Sequence, residues 1–169
     1  MLTNTEYGEC GTGAYCLGGC DPLSSFSLDS CVAEPTCQNK TFTWDNLDSA
    51  ALNTKYLGNA SKYDWVYSGF PKIDDGNLVM TMPNGTVGTL FANNHYIWYG
   101  KIKGKIKSSR GAGVVTAFIL LSDTKDEVDF EFVGADLDNV QTNYYFQGIL
   151  DCTLPFIYSL GLVNGVLML

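Results

Sequence analysis

The chain has 169 residues and 46% hydrophobic content, enough for one domain plus a small module with a packed core. Its formal net charge is −8, its pI is near 4.4 and only 17% of residues are charged. That balance excludes the basic footprint expected of a nucleic-acid binder or of a protein held on anionic membranes. Neutral polymers such as polysaccharides need no basic surface, and Tyr 10, Phe 9 and Trp 3 supply rings that can stack on sugar faces or fill a core.

Residues 1–37 are rich in Gly, Ser and Cys and lack helical periodicity. Cys10, Cys16, Cys20, Cys31 and Cys37 cluster here, whereas Cys152 stands apart. Such a cluster reads as a disulfide framework and an oxidising compartment. Zinc fits less well, because the spacings lack the paired C-x₂₋₄-C of both halves of a zinc site. Three sequons, Asn39-Lys40-Thr41, Asn59-Ala60-Ser61 and Asn84-Gly85-Thr86, also point to secretion. Met1-Leu2-Thr3-Asn4 does not open a signal peptide, so none is expected in the chain as written.

Residues 38–76 carry Trp44, Tyr56, Tyr63, Trp65, Tyr67 and Phe70 between turn signals. From 77 onward the period is two. Asn77 to Met82 predicts a strand, ended by the Pro83-Asn84-Gly85 turn. Thr86 to Ala92 predicts a second strand, and Tyr96 to Lys107 a third. In the third, Lys101, Lys103, Lys105 and Lys107 share one face, read as a solvated face or protected edge. Val114 to Leu121 is an apolar run suited to a buried strand. An acidic strand and then Val140 to Phe146 follow. Short strands without a long amphipathic helix indicate an all-β sandwich or jelly roll. Residues 152–169 are apolar and uncharged. They are marginal against the roughly 20 residues of a membrane span, and Pro155 and Asn164 interrupt them.

The acidic strand is Asp126-Glu127-Val128-Asp129-Phe130-Glu131-Phe132. Residues two apart on a strand share a face, so Glu127, Asp129 and Glu131 form one row. Like charges on one face repel, and acids are poor strand formers, so the row invites a functional explanation. Glycoside hydrolysis with retention uses two carboxyl groups, one attacking the anomeric carbon and one protonating the leaving oxygen. On that reading Glu127 is the nucleophile, Glu131 the general acid/base and Asp129 the group that orients and tunes them, with at least one of the three carboxyl pKa values raised by the crowding. A solvent-facing acidic strand and a calcium site are the competing uses. His95 is the sole histidine, has no evident nucleophile beside it, and is read as structural.

The run Glu127-Val128-Asp129-Phe130-Glu131 resembles the E-x-D-x-E signature of glycoside hydrolase family 16. The longer stretch from Asp126 to Gly134, with Gln141-Thr142-Asn143-Tyr144, is similar to the fungal cell-wall Crh/Utr2-type transglycosylases. Plant xyloglucan endotransglycosylases are more distant relatives. Gly85 to Leu90, Tyr96 to Gly100 and Gly111 to Phe118 extend the resemblance, which covers about residues 7–150. It implies a concanavalin A-like β-jelly-roll sandwich, no cofactor and no metal. It implies a retaining glycosidase or transglycosylase linking chitin to β-glucan in the extracellular fungal wall, attached to the membrane only through a lipid anchor of the family type. Carried over by position, Glu127 is nucleophile, Asp129 the assisting residue and Glu131 the acid/base. Gln141 and Asn143 match sugar contacts near the cleavage point. Tyr7 and Tyr15 match aromatic positions of a hevein-like chitin-binding module, of which residues 1–37 resemble the second half.

The expected organisation is therefore a partial chitin-binding-like segment over 1–37, the N-terminal part of the family 16 domain over 38–150, and an aberrant apolar tail over 151–169. The tail departs from the family pattern and resembles translated non-coding sequence. A chain ending this way is expected to be weakly stable and of low activity. A non-catalytic carbohydrate-binding or wall-structural protein is the alternative function.

Overall fold

The computed structural model describes residues 34–150 in full; beyond them it describes only the backbone of short strands at 3–4, 10–11, 156–159 and 166–168. In chain order the elements are β1 (Thr3–Asn4), β2 (Cys10–Gly11), β3 (Ala50–Leu52), α1 (Asn53–Tyr56), β4 (Trp65–Ser68), β5 (Phe70–Asp74), β6 (Asn77–Thr81) and β7 (Leu90–Asn93). They continue as β8 (Lys103–Lys105), β9 (Val115–Leu121), β10 (Glu127–Val133), β11 (Asn139–Phe146), β12 (Ile149–Leu150), β13 (Phe156–Ser159) and β14 (Val166–Met168). The architecture is all-β, in agreement with a jelly-roll sandwich. Among the described residues the only helix is the single turn of α1. The chain divides into two compact units, Met1–Trp98 and Tyr99–Leu169.

In the first unit β4 is the organising strand. It runs parallel to β3 and antiparallel to β7. Its alternation is read out directly: Val66 is buried with Ala51 and Tyr56, while Trp65 and Tyr67 project to the other face. There they meet the rings of Phe42, Trp44 and Phe91; Tyr67 and Phe91, cross-strand partners, stack at 6.2 Å. The Tyr56 hydroxyl is buried. It donates to the Glu34 carboxylate at 2.9 Å and accepts from the Asn94 amide at 3.0 Å. Burial, the Glu34 charge and that hydrogen bond push the phenol well above its ordinary value. The same network ties the segment around Glu34 to the sheet, where Cys37 N–H donates to the Tyr96 carbonyl at 2.8 Å. β5 and β6 form a hairpin closed by Asp75-Gly76, both at positive φ (47° and 71°), as a two-residue type I′ turn requires.

The second unit is a sheet in the order β12-β11-β10-β9, with β13 also pairing β11, plus a β8–β14 ribbon. Several strand boundaries differ from expectation. The third predicted strand, Tyr96 to Lys107, is a ladder only over Lys103–Lys105; its four lysines are exposed. Alternation describes which face each residue takes, and it exists without a partner strand. The second predicted strand starts late, at Leu90. The apolar run in β9 is not buried on both faces: Val115, Ile119 and Leu121 are 49%, 46% and 41% exposed, while Phe118 and Leu120 between them are half-buried. Exposed apolar residues occur on the opposite face as well, where Val128 and Tyr144 are 43% and 38% exposed.

Gly134 closes the acidic strand. Its N–H donates to the Val114 carbonyl at 2.8 Å, and its own carbonyl accepts from Gly111 N–H at 3.0 Å. A Cβ here would overlap the Gly111 backbone. Gly134→Ala must therefore push two backbones apart and should cost roughly 1–3 kcal/mol. Urea unfolding of the purified chain checks this; an unchanged midpoint contradicts it.

Candidate functional site

β10 lies between β9 and β11, so each acid has a neighbour on both sides. Glu127 is opposite Leu121 and Tyr145, Asp129 opposite Ile119 and Asn143, and Glu131 opposite Ala117 and Gln141. Directly opposed residues project to the same face. One sheet surface thus carries three parallel strips: apolar on β9, acidic on β10, polar on β11. Val128, Phe130 and Phe132 take the other face.

The three acids differ in depth. Asp129 is buried at 5% exposure, while Glu127 and Glu131 are half-buried. Asn143 is half-buried beside Asp129, and Gln141 is exposed beside Glu131. Asp129 Oδ1 is buried and has no hydrogen-bond partner among the described residues. A buried carboxylate oxygen with nothing to accept from is costly, so this atom stands out in the site. Tyr7 and Tyr15 lie outside the described residues. His95 belongs to the first unit, in a bend after β7, where its N–H donates to Asn93 Oδ1 at 3.1 Å. Among the described residues no three His, Cys, Asp or Glu side chains are grouped to hold a metal ion.

Sequence reasoning assigned no role to Asp126, the first residue of the acidic run. Its Oδ2 accepts from the Thr124 hydroxyl at 2.8 Å and the Ser122 hydroxyl at 3.2 Å, and its Oδ1 accepts from Gln147 N–H at 3.1 Å. Its own N–H donates to Ser122 Oγ at 2.9 Å. The side chain therefore joins the β9–β10 turn to the β11–β12 turn. The Ser-x-Thr-x-Asp pattern at 122–126 marks the first turn in the sequence; the bond to Gln147, 21 residues away, leaves no local trace.

Residues 59–160, more than half of the chain, match Glycosyl hydrolases family 16. The chain belongs to this family. It is 79% identical over 146 residues to Crh-like protein 2 of Aspergillus fumigatus, covering 86% of this chain and 33% of that protein. It is 48% identical over 150 residues to Crh-like protein UTR2 of Candida albicans, covering 87% and 32%. It is 32% identical over 199 residues to Probable glycosidase CRR1 of Saccharomyces cerevisiae, covering 88% and 47%. The chain thus spans about a third of the length of the first two relatives. No solved structure matches. The family 16 match includes all of β4 to β13.

The Thr124 hydroxyl, then the Gln147 N–H, with a smaller share from Ser122, hold the Asp126 carboxyl below the usual carboxylate range against a modest opposing desolvation. Asp136 is lowered in the same way by Asn139 and the Asp138 N–H. A folded-state value below the unfolded one contributes stability that is complete above the unfolded value of about 4. That contribution is lost as pH falls through the lower folded-state value. Urea midpoints should therefore drop as pH is taken below about 4, and Asp126→Asn should flatten part of that dependence, leaving the share of Asp136. An acid-limb slope identical in wild type and variant contradicts the assignment.

Proposed function

We propose that this chain carries the catalytic strand of a retaining glycosidase or transglycosylase acting on cell-wall polysaccharide. The observation that carries the proposal is the acidic strip of β10, in register with Asn143 and Gln141 and with Asp129 buried between two more accessible glutamates. None of the six residues directly opposite these acids is charged. Membership of family 16 and the likeness to the Crh-like proteins support the same reading.

In this mechanism a Glu127 oxygen attacks the anomeric carbon as the bond to the leaving sugar breaks, and Glu131 gives its proton to the departing oxygen. The result is a glycosyl ester on Glu127. An acceptor hydroxyl then gives its proton to Glu131 and displaces the ester oxygen, restoring both residues. A sugar acceptor gives transfer, and water gives hydrolysis. Asp129 lies between them, and its buried Oδ1, without a hydrogen-bond partner among the described residues, is an acceptor for the proton carried by Glu131. Asn143 and Gln141 contact the sugar beside the cleavage point, and the apolar β9 strip suits the non-polar face of a pyranose. Chitin and β-glucan are the proposed donor and acceptor, in the extracellular fungal wall. Tyr7 and Tyr15 are proposed to stack on N-acetylglucosamine.

The test uses labelled chitin and β-glucan oligosaccharides with the purified chain. Glu131→Gln should lower kcat by roughly 10²–10⁴-fold. Glu127→Gln should abolish the trapped glycosyl-enzyme while keeping oligosaccharide binding. Binding without turnover in the wild type, unchanged by Glu127→Gln, would instead identify a carbohydrate-binding protein.

A further inference from the structure

Glu127 is the first residue of β10. A strand end is where pairing frays most readily, and the proposed nucleophile is the group whose placement the chemistry tolerates least. The structure puts four hydrogen bonds on the residue immediately before it. Asp126 N–H donates to Ser122 Oγ, and the carboxylate accepts from Ser122, Thr124 and the Gln147 backbone. Two further backbone bonds brace the same place. Ser122 N–H donates to the Asp126 carbonyl at 2.8 Å, and Gly148 N–H donates to the Lys125 carbonyl at 2.8 Å. The two turns joined here have unusual backbones: Lys125, Gln147 and Gly148 stand at φ 64°, 51° and 79°. Left-handed conformations at Lys125 and Gln147 cost energy, so something must hold both turns in shape.

We propose that Asp126 is a positioning residue for the reaction, fixing Glu127 between Leu121 and Tyr145 by clasping the β9–β10 turn to the β11–β12 turn. This rests on the proposed role of Glu127. The clasp acts on one end of the acidic strip only. Glu131 lies four residues further on and is set by its own ladder partners, Ala117 and Gln141. Loss of the clasp should therefore displace Glu127 relative to the sugar and leave the Glu131 end of the strand paired.

The experiment compares wild type, Asp126→Ala and Asp126→Asn in the full chain. Two readouts are taken: steady-state kinetics on the labelled oligosaccharides, and NMR cross-strand contacts for the Glu127–Tyr145 and Glu131–Gln141 pairs. Asp126→Ala should lower kcat by about 10–100-fold with KM within about twofold, since misplacement near 1 Å carries a penalty of that order. It should weaken the Glu127–Tyr145 contact while the Glu131–Gln141 contact persists. Asn keeps one acceptor oxygen for Gln147 N–H, so Asp126→Asn should recover most of both. Wild-type kinetics with intact contacts in Asp126→Ala overturns the proposal. So does loss of both cross-strand contacts together, which would make Asp126 a support of the whole sheet. If the wild-type chain shows no turnover, the proposed function fails, and the NMR contacts alone still decide whether Asp126 positions Glu127.

Discussion

Everything distinctive in this chain depends on the register of β10 between β9 and β11. Side chains on a strand alternate strictly, so a slip of one residue would turn Glu127, Asp129 and Glu131 to the opposite face and bring Val128, Phe130 and Phe132 to theirs. The side chains of β9 guard against the slip only weakly, because that strand carries apolar residues on both faces. The register is instead held at both ends of the strand. Asp126 joins two turns at its start, and the close approach of Gly134 to Gly111 and Val114 clamps its end. Neither device uses the side chains of Glu127, Asp129 or Glu131.

The acids are a poor way to build a sheet. Cα atoms two residues apart on a strand are separated by roughly 6.5–7 Å, so adjacent carboxylates repel with little water between them. A structural acidic strand would place lysines or arginines on the neighbouring strands. Here the cross-strand neighbours are Leu121, Ile119 and Ala117 on one side and Tyr145, Asn143 and Gln141 on the other. The lysine row of the sequence lies in and around β8, which pairs with β14, so it does not border the acids within the sheet. The charge row is thus kept at a cost in stability that the two end clamps help to offset, a pattern expected where the groups serve a ligand.

The acidic strand was legible because its sequence keeps a period of two from Glu127 to Phe132, and β6 because an apolar run is closed by the Pro83-Asn84-Gly85 turn. Gln141 and Asn143 on β11 were legible only through the family resemblance, since polar residues two apart on a strand are otherwise ordinary. Other features were hidden for physical reasons. β4 and β5 lie in a stretch whose aromatics obscure alternation, yet Asp75-Gly76 is a hairpin signal that could have located the β5–β6 pair. The Tyr96 to Lys107 strand was overextended, since alternating lysine and isoleucine fix faces and not pairing. The half-exposed state of β9 could not be read from composition, because an apolar run fits a strand buried on two faces as well as one. Asp126 looked like one more acid in an acidic run; its distant bond to Gln147 exists only after folding.

The difference in length between aspartate and glutamate gives the acidic strip its shape. On an ideal strand the Cα atoms of residues i and i+4 are about 13 Å apart, whereas retention requires carboxyl groups about 5–5.5 Å apart. Strand twist and the reach of two glutamates leaning inward must close the gap. They can do so only if the residue between them stays low. Asp129, one methylene shorter, is buried at 5% exposure, while both glutamates remain half-exposed above it. On the proposed mechanism, a glutamate at position 129 would rise into the space that the anomeric carbon needs. An alanine would leave that space open but remove the buried acceptor beneath it. The order long, short, long along β10 is the arrangement in which burial agrees with the proposed chemistry.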